Sequence, residues 1–191
     1  MSFSLNEVEA MARKAARGAG FDWGVAEDAG RAVRWLCVQG IDGVAALCSV
    51  LGRAHPDTDC PLLLGCALSD RAAHLLKEPM RLEGVAQPVL LLPFIAMAAR
   101  QTSQTLWVEC DGAHAVTDGR GLAMTRPFVP KATYVEICVD GVLSAPRPHQ
   151  SRAQPDAADW ETLTGYAHRT YAPATEDSRL RGAGAGLSDN D

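Results

Sequence analysis

Three features of the 191-residue sequence predict an α+β fold, with helices and strands largely segregated along the chain. Helical periodicity dominates the first 80 residues. Alternating apolar runs broken by Asp-Gly pairs occupy the middle. No strand–helix–strand unit recurs, so a parallel sheet of βαβ repeats is not expected. The expected architecture is one domain spanning residues 1–191. An N-terminal layer of three helices (1–80) packs against an antiparallel β meander (85–145). A C-terminal helix and a glycine-rich end (155–191) follow.

The first helix opens at Ser4-x-x-Glu7, a capping box, and Leu5, Val8, Met11, Ala12 and Ala15 mark its apolar face before Gly18 and Gly20 stop it. A second runs from about Gly24 to Val38, turning Val25, Ala29, Val33 and Leu36 inward, with Gly40 closing it. A third begins near Asp42 and carries Val44, Leu47, Cys48 and Leu51 before Gly52. Short connections favour antiparallel neighbours, hence the helical layer. Residues 55–61 have loop composition. Leu62–Leu68 fits either a strand or a buried helical turn, and Ser69 is placed to cap a helix ending before Pro79.

The period then changes. Thr105–Val108 and Ala113–Val116 flank Asp111-Gly112, Thr133–Val139 precedes Asp140-Gly141, and Asp118-Gly119 adds another turn. Asp-Gly between alternating apolar runs is a strong local hairpin signal. Ala145–Gln154, rich in Pro, Arg and Gln, reads as an exposed connector, and a last helix covers about Asp156–Tyr171.

Composition narrows the function classes. Apolar residues make up 47% and charged residues 21%, with 18 Lys+Arg against 23 Asp+Glu. A mildly acidic chain without a basic stretch argues against nucleic-acid or anionic-membrane partners. None of the six cysteines forms a C-x-x-C pair or a zinc-spaced cluster, so no metal or cofactor is assigned. The N-terminal residues lack a basic region and an apolar core, so no signal peptide is expected, and free thiols fit a reducing cytoplasm. The most apolar stretch, Val85–Ala99, is shorter than the roughly 20 residues of a membrane span and contains Pro88 and Pro93.

Three places could carry chemistry. Cys110 and His114 suggest a nucleophile–base dyad, but a two-residue turn at Asp111-Gly112 puts Cys110 opposite Ala113 and Glu109 opposite His114. Cys110 then faces the core. The surviving candidate is Glu109 with His114 beside Trp107, a carboxylate that could orient an imidazole for acid/base work; the plainer reading is a cross-strand ion pair. On the second helix Glu27, Arg31 and Arg34 share a face flanked by Trp23 and Trp35. Two arginines there could hold a carboxylate or phosphate, or form a solvated face with one i,i+4 pair.

The third place is the C-terminal stretch, where Gly182, Gly184 and Gly186 would let backbone amides approach a ligand. A Walker loop is excluded because Leu187-Ser188 follows the glycines, and a dinucleotide fingerprint is excluded because no helix can follow in five residues. Arg179 and Arg181 could contact an anion, and Asp189 and Asp191 a hard cation. A flexible polar tail is the alternative.

Residues 19–36 (Ala-Gly-Phe-Asp-Trp-Gly-Val-Ala-Glu-Asp-Ala-Gly-Arg-Ala-Val-Arg-Trp-Leu) and 178–191 (Ser-Arg-Leu-Arg-Gly-Ala-Gly-Ala-Gly-Leu-Ser-Asp-Asn-Asp) resemble a bacterial family of uncharacterised proteins, a domain of unknown function. The resemblance implies that the C-terminal motif is a family feature with an ordered role. No activity comes with it. The ligand-binding candidates are Arg31, Arg34, Ser178, Arg179, Gly182, Gly184 and Gly186, and the catalytic candidates are Glu176, Asp189, Glu109 and His114. Residues 3–50 are also similar, more weakly, to the N-terminal helices of the malate/L-lactate dehydrogenase family. That family continues its Gly-Ile-Asp-like run with Ser-His-Gly, whereas Gly40-Ile41-Asp42 here leads straight to Gly43.

The resulting expectation is a bacterial cytoplasmic enzyme or binding protein for a small-molecule ligand, with its site between the second helix and the C-terminal Gly/Asp segment. Two alternatives stand beside it. One is a non-catalytic homo-oligomeric accessory protein. The other, implied by the second resemblance, is a degenerate relative of an NAD(P)-dependent 2-hydroxy acid dehydrogenase.

Overall fold

The computed structural model describes residues 2–52 and 59–171 and has the expected α+β class. Helix α1 (Leu5–Gly18) carries the complete capping box: the Ser4 amide donates to Glu7 Oε2 at 2.7 Å, and the Glu7 amide donates to Ser4 Oγ at 3.2 Å. Helix α2 (Trp23–Val38) ends in a Schellman turn. The Gly40 amide reaches Cys37 O and the Ile41 amide reaches Leu36 O, with Gly40 at φ +69°. Helix α3 (Gly43–Leu51) is capped by Asp42, whose carboxylate accepts from the Ala45 amide at 3.0 Å.

Leu62–Leu68 belongs to helix α4 (Pro61–Asp70), with Pro61 in its first turn, where the missing N–H costs nothing. Ser69 is therefore inside that helix and caps no new one. A 3₁₀ turn (Ala72–Leu76) follows it.

The middle differs from a simple meander in three ways. First, the 85–145 stretch contains a helix, α5 (Leu92–Thr102), preceded by a 3₁₀ turn (Pro88–Leu91). Pro88 and Pro93 each occupy a first turn, so they start helical structure. Second, strands β2 (Met80–Ala86), β3 (Leu106–Cys110), β4 (Ala113–Thr117), β5 (Leu122–Met124) and β6 (Lys131–Val139) form one antiparallel sheet in the order β2-β6-β3-β4-β5. Only β3-β4-β5 is a meander; β6 returns to the far side of β3, and β2 adds outside β6. Third, Asp140-Gly141 turns no hairpin. It ends β6, and residues 140–151 run on without a paired strand.

A two-residue strand β1 (Phe3–Ser4) pairs antiparallel with β7 (Arg152–Ala153), and helix α6 (Ala157–His168) follows with Asp156 as its cap. Phe3 stacks on Trp160 with ring centroids 3.7 Å apart, so the N-terminus, the connector and α6 are fastened together. The core is continuous from α1 through α5 to the sheet, and includes Val8, Val33, Leu36, Leu47, Phe94, Ile95, Val108 and Ile137. Helices α4 and α5 approach so closely that a Cβ at Gly65 would overlap the Phe94 ring. Gly65→Ala should therefore lower stability by about 1–3 kcal/mol through overpacking, measured as a shift of the urea midpoint at unchanged slope.

Candidate functional site

The β3–β4 hairpin has the expected register. Asp111 and Gly112 lie at φ +44° and +76°, the two positive values that a type I′ turn needs. Cys110 then pairs with Ala113 and Glu109 with His114. Cys110 is 1% exposed and points into the core, so no Cys110–His114 dyad exists. Glu109 and His114 share the outer face, where the His114 ring stacks on Trp107 at 5.2 Å. No hydrogen bond joins the two side chains, and His114 Nδ1 is buried without a partner among the described residues.

On its other side Glu109 is the register neighbour of Glu136, which Arg81 Nε engages at 2.9 Å. The Arg81 and Tyr134 contacts hold the Glu136 carboxyl below the usual carboxylate range. The outer face thus carries a row of register neighbours, Arg81, Glu136, Glu109 and His114, spread over four strands and outside the clefts described below. The Asp111 carboxylate has a structural task that the turn motif alone does not reveal. It accepts from the Thr133 and Tyr134 amides at 2.8 and 3.0 Å, pinning β6 beside the hairpin.

The thiols are chemically quiet. Burial, reinforced by the Asp111 charge, pushes Cys110 up to about 11. Burial raises Cys37 and Cys48 to about 11 as well, and burial beside the Asp28 carboxylate raises Cys66 to about 12. Among the described residues no group of three or more His, Cys, Asp or Glu side chains is arranged to hold a metal ion.

Arg31 and Arg34 come to one cleft of about 440 Å³ between α2 and α5. Arg31 is held by Asp28 at 3.0 Å and Glu27 at 3.6 Å; Arg34 reaches across to α1, bonding Glu9 at 2.9 Å and Asn6. Arg100 of α5 completes the rim and donates to Gly119 O at 2.9 Å. Trp35, also lining the cleft, has a buried Nε1–H with no acceptor among the described residues. The expected C-terminal partners of these arginines, Glu176, Ser178, Arg179, Gly182, Gly184, Gly186 and Asp189, lie outside the described residues.

The larger cleft, about 560 Å³, opens where the α2–α3 turn faces the end of β5. Ile41, Ala46, Val89, Met124, Pro127 and Phe128 supply apolar walls, and Asp42, Ser49, Gln87, Thr125, Arg126 and Arg147 supply polar groups. Gln87 holds a left-handed backbone at φ +44° and ψ +57°, and its side-chain amide has no partner among the described residues. The segment expected to be a plain exposed connector forms one side of the cleft. Arg147 Nε donates to Gln39 O at 2.6 Å and Nη2 to Gly40 O at 3.1 Å, while the Arg147 amide bonds Leu122 O at 2.8 Å. A smaller polar hollow of about 380 Å³ lies beside it and shares Gly40, Ile41, Asp42 and Arg147.

Apart from the Gly40 stop, the Asp42 cap and Ile41 between them, nothing in the sequence singled out these residues. They come from four separate stretches, and no local spacing connects them. Gln87 before Pro88 is the one faint signal, because a residue before proline is already restricted.

A family model described as "Protein of unknown function (DUF3726)" matches residues 3–76. That span runs from β1 through the 3₁₀ turn after α4, so it contains the α2–α3 turn but none of the strands of the five-stranded sheet. No curated protein and no solved structure matches the chain. Among the described residues no helix is long and apolar enough to cross a membrane.

Cys110 should resist modification. With its thiol at about 11, only on the order of 0.01% is thiolate at pH 7, and the side chain faces the core. Peptide mapping after brief labelling with a maleimide should leave Cys110 unmodified in the native protein and modify it fully in denaturant. Rapid native labelling would mean that the hairpin register is wrong.

Proposed function

We propose that the protein binds a small organic acid, with its site in the cleft between the α2–α3 turn and the 124–128 segment. The observation that carries this reading is one concave space of about 560 Å³ in which apolar walls and a few convergent polar groups meet. Pockets for small molecules have this size and balance. Phe128, Met124 and Val89 suit an apolar body. Two arginines, Arg126 and Arg147, line the cleft against one carboxylate, Asp42, and both bond only to backbone carbonyls among the described residues, so the charge balance favours an anionic head. The strained Gln87 backbone supports a binding role, because such conformations cost of order 1–3 kcal/mol and cluster at ligand sites. The small-molecule reading of the sequence is kept, and its location moves from the glycine-rich end to the α2–α3 turn.

A thermal-shift screen of aliphatic and aromatic carboxylic acids is the test. A ligand present at 100 times its Kd adds about 2.7 kcal/mol of apparent stability, which is easily seen. Hits should lose at least tenfold in affinity in Arg126→Gln, and several-fold in Phe128→Ala. Hits that bind both variants as they bind the unaltered protein, or a library without hits, would overturn the assignment.

A further inference from the structure

The arginine-lined cleft between α2 and α5 is not used by the site above and shares no residue with it. We propose that it is a second binding site, for a small anion that carries a flat apolar group. Its floor is apolar: Pro93 is buried, and Trp35, Val38 and Met97 are half-buried. Its rim carries three guanidinium groups against one carboxylate, Glu9.

Two of the cations are preset by acids of their own. Glu27 and Asp28 hold Arg31, and Glu9 holds Arg34 through Nη1. These contacts offset the charge of Arg31 and Arg34 but also fix their planar forks. A guanidinium has five N–H donors. Arg34 is held through Nη1 alone, by Glu9 and Asn6, which leaves its Nε and Nη2 for a ligand, whereas Arg31 turns both Nη1 and Nη2 toward Asp28 and Glu27. Arg100 differs from both. It has no carboxylate partner among the described residues and is anchored only through Nη1 to Gly119 O. Among the described residues it is the uncompensated charge of the cleft, and a ligand carboxylate or phosphate is the chemistry that completes it. The apolar floor adds a preference for a ring over a bare inorganic ion.

Isothermal titration of the full chain with benzoate, phenyl phosphate and the neutral benzyl alcohol tests this. Both anions should bind, or the one that matches the site, and the alcohol should not. Tighter phenyl phosphate identifies a phosphate-bearing ligand, and tighter benzoate a carboxylate. Arg100→Ala should weaken the anion at least tenfold. Arg34→Lys, which keeps the charge and loses the fork, should weaken it several-fold. Lys77→Gln, the same charge change at a position outside both clefts, should leave it unaltered, and circular dichroism should show all three variants folded. Binding of neither anion, equal binding of the alcohol, or Arg100→Ala titrating like the unaltered protein would overturn the proposal.

Discussion

Burial of α5 on every side is the constraint from which the rest of the architecture follows. Leu92, Pro93, Phe94, Ile95, Ala96, Ala98 and Ala99 are all buried, so before its last turn this helix is left partly uncovered only at Met97, in the cleft beside α2. A helix that is apolar all round must be covered by other elements. Helices α2 and α4 cover one side, the sheet covers the other, and the glycine at position 65 admits the Phe94 ring. Each large side chain so buried contributes roughly 1.5–3 kcal/mol to stability.

That arrangement also explains why the clefts lie where they do. The sheet packs its inner face on α5 and leaves its ends to meet the helical layer without interdigitating. At one such seam the α2–α3 turn stands opposite residues 124–128, and the connector after β6 closes the gap from outside. Arg147 holds this seam through carbonyls at the end of α2 and, by its backbone, through Leu122 at the start of β5. A polar anchor of this kind satisfies backbone acceptors left open at a helix end. It also keeps a guanidinium at the mouth of the cleft.

The outer sheet face illustrates how a correct local reading can leave function open. The register of Glu109 and His114 follows from the turn, yet register only makes them neighbours. Glu136, unseen in the hairpin sequence, arrives from β6 and meets Glu109 on its other side. Two carboxylates side by side on a sheet repel each other, and Arg81 on the next strand offsets this. The row is accounted for by charge balance across strands, without a hydrogen-bonded acid–base pair.

The sequence by itself determined the elements whose signals are local. The capping box at Ser4 and Glu7, the Gly40 stop, the Asp42 cap and the Asp111-Gly112 turn each act within a few residues, so their chemistry is legible in order along the chain. It also placed Cys110 in the core, because strand alternation is local too. Strand β2 was harder to see, since its alternation is short and broken at Gly84, and the apolar run containing Pro88 and Pro93 concealed α5. Only the tertiary structure decided that β6 crosses to the far side of β3, that Asp140-Gly141 ends a strand without turning it, and that Arg100 joins Arg31 and Arg34. It alone brought Gln87, Arg126, Phe128 and Arg147 to one cleft. Such contacts depend on which buried surfaces cover α5 most completely, and that competition among distant segments has no signature in neighbouring residues.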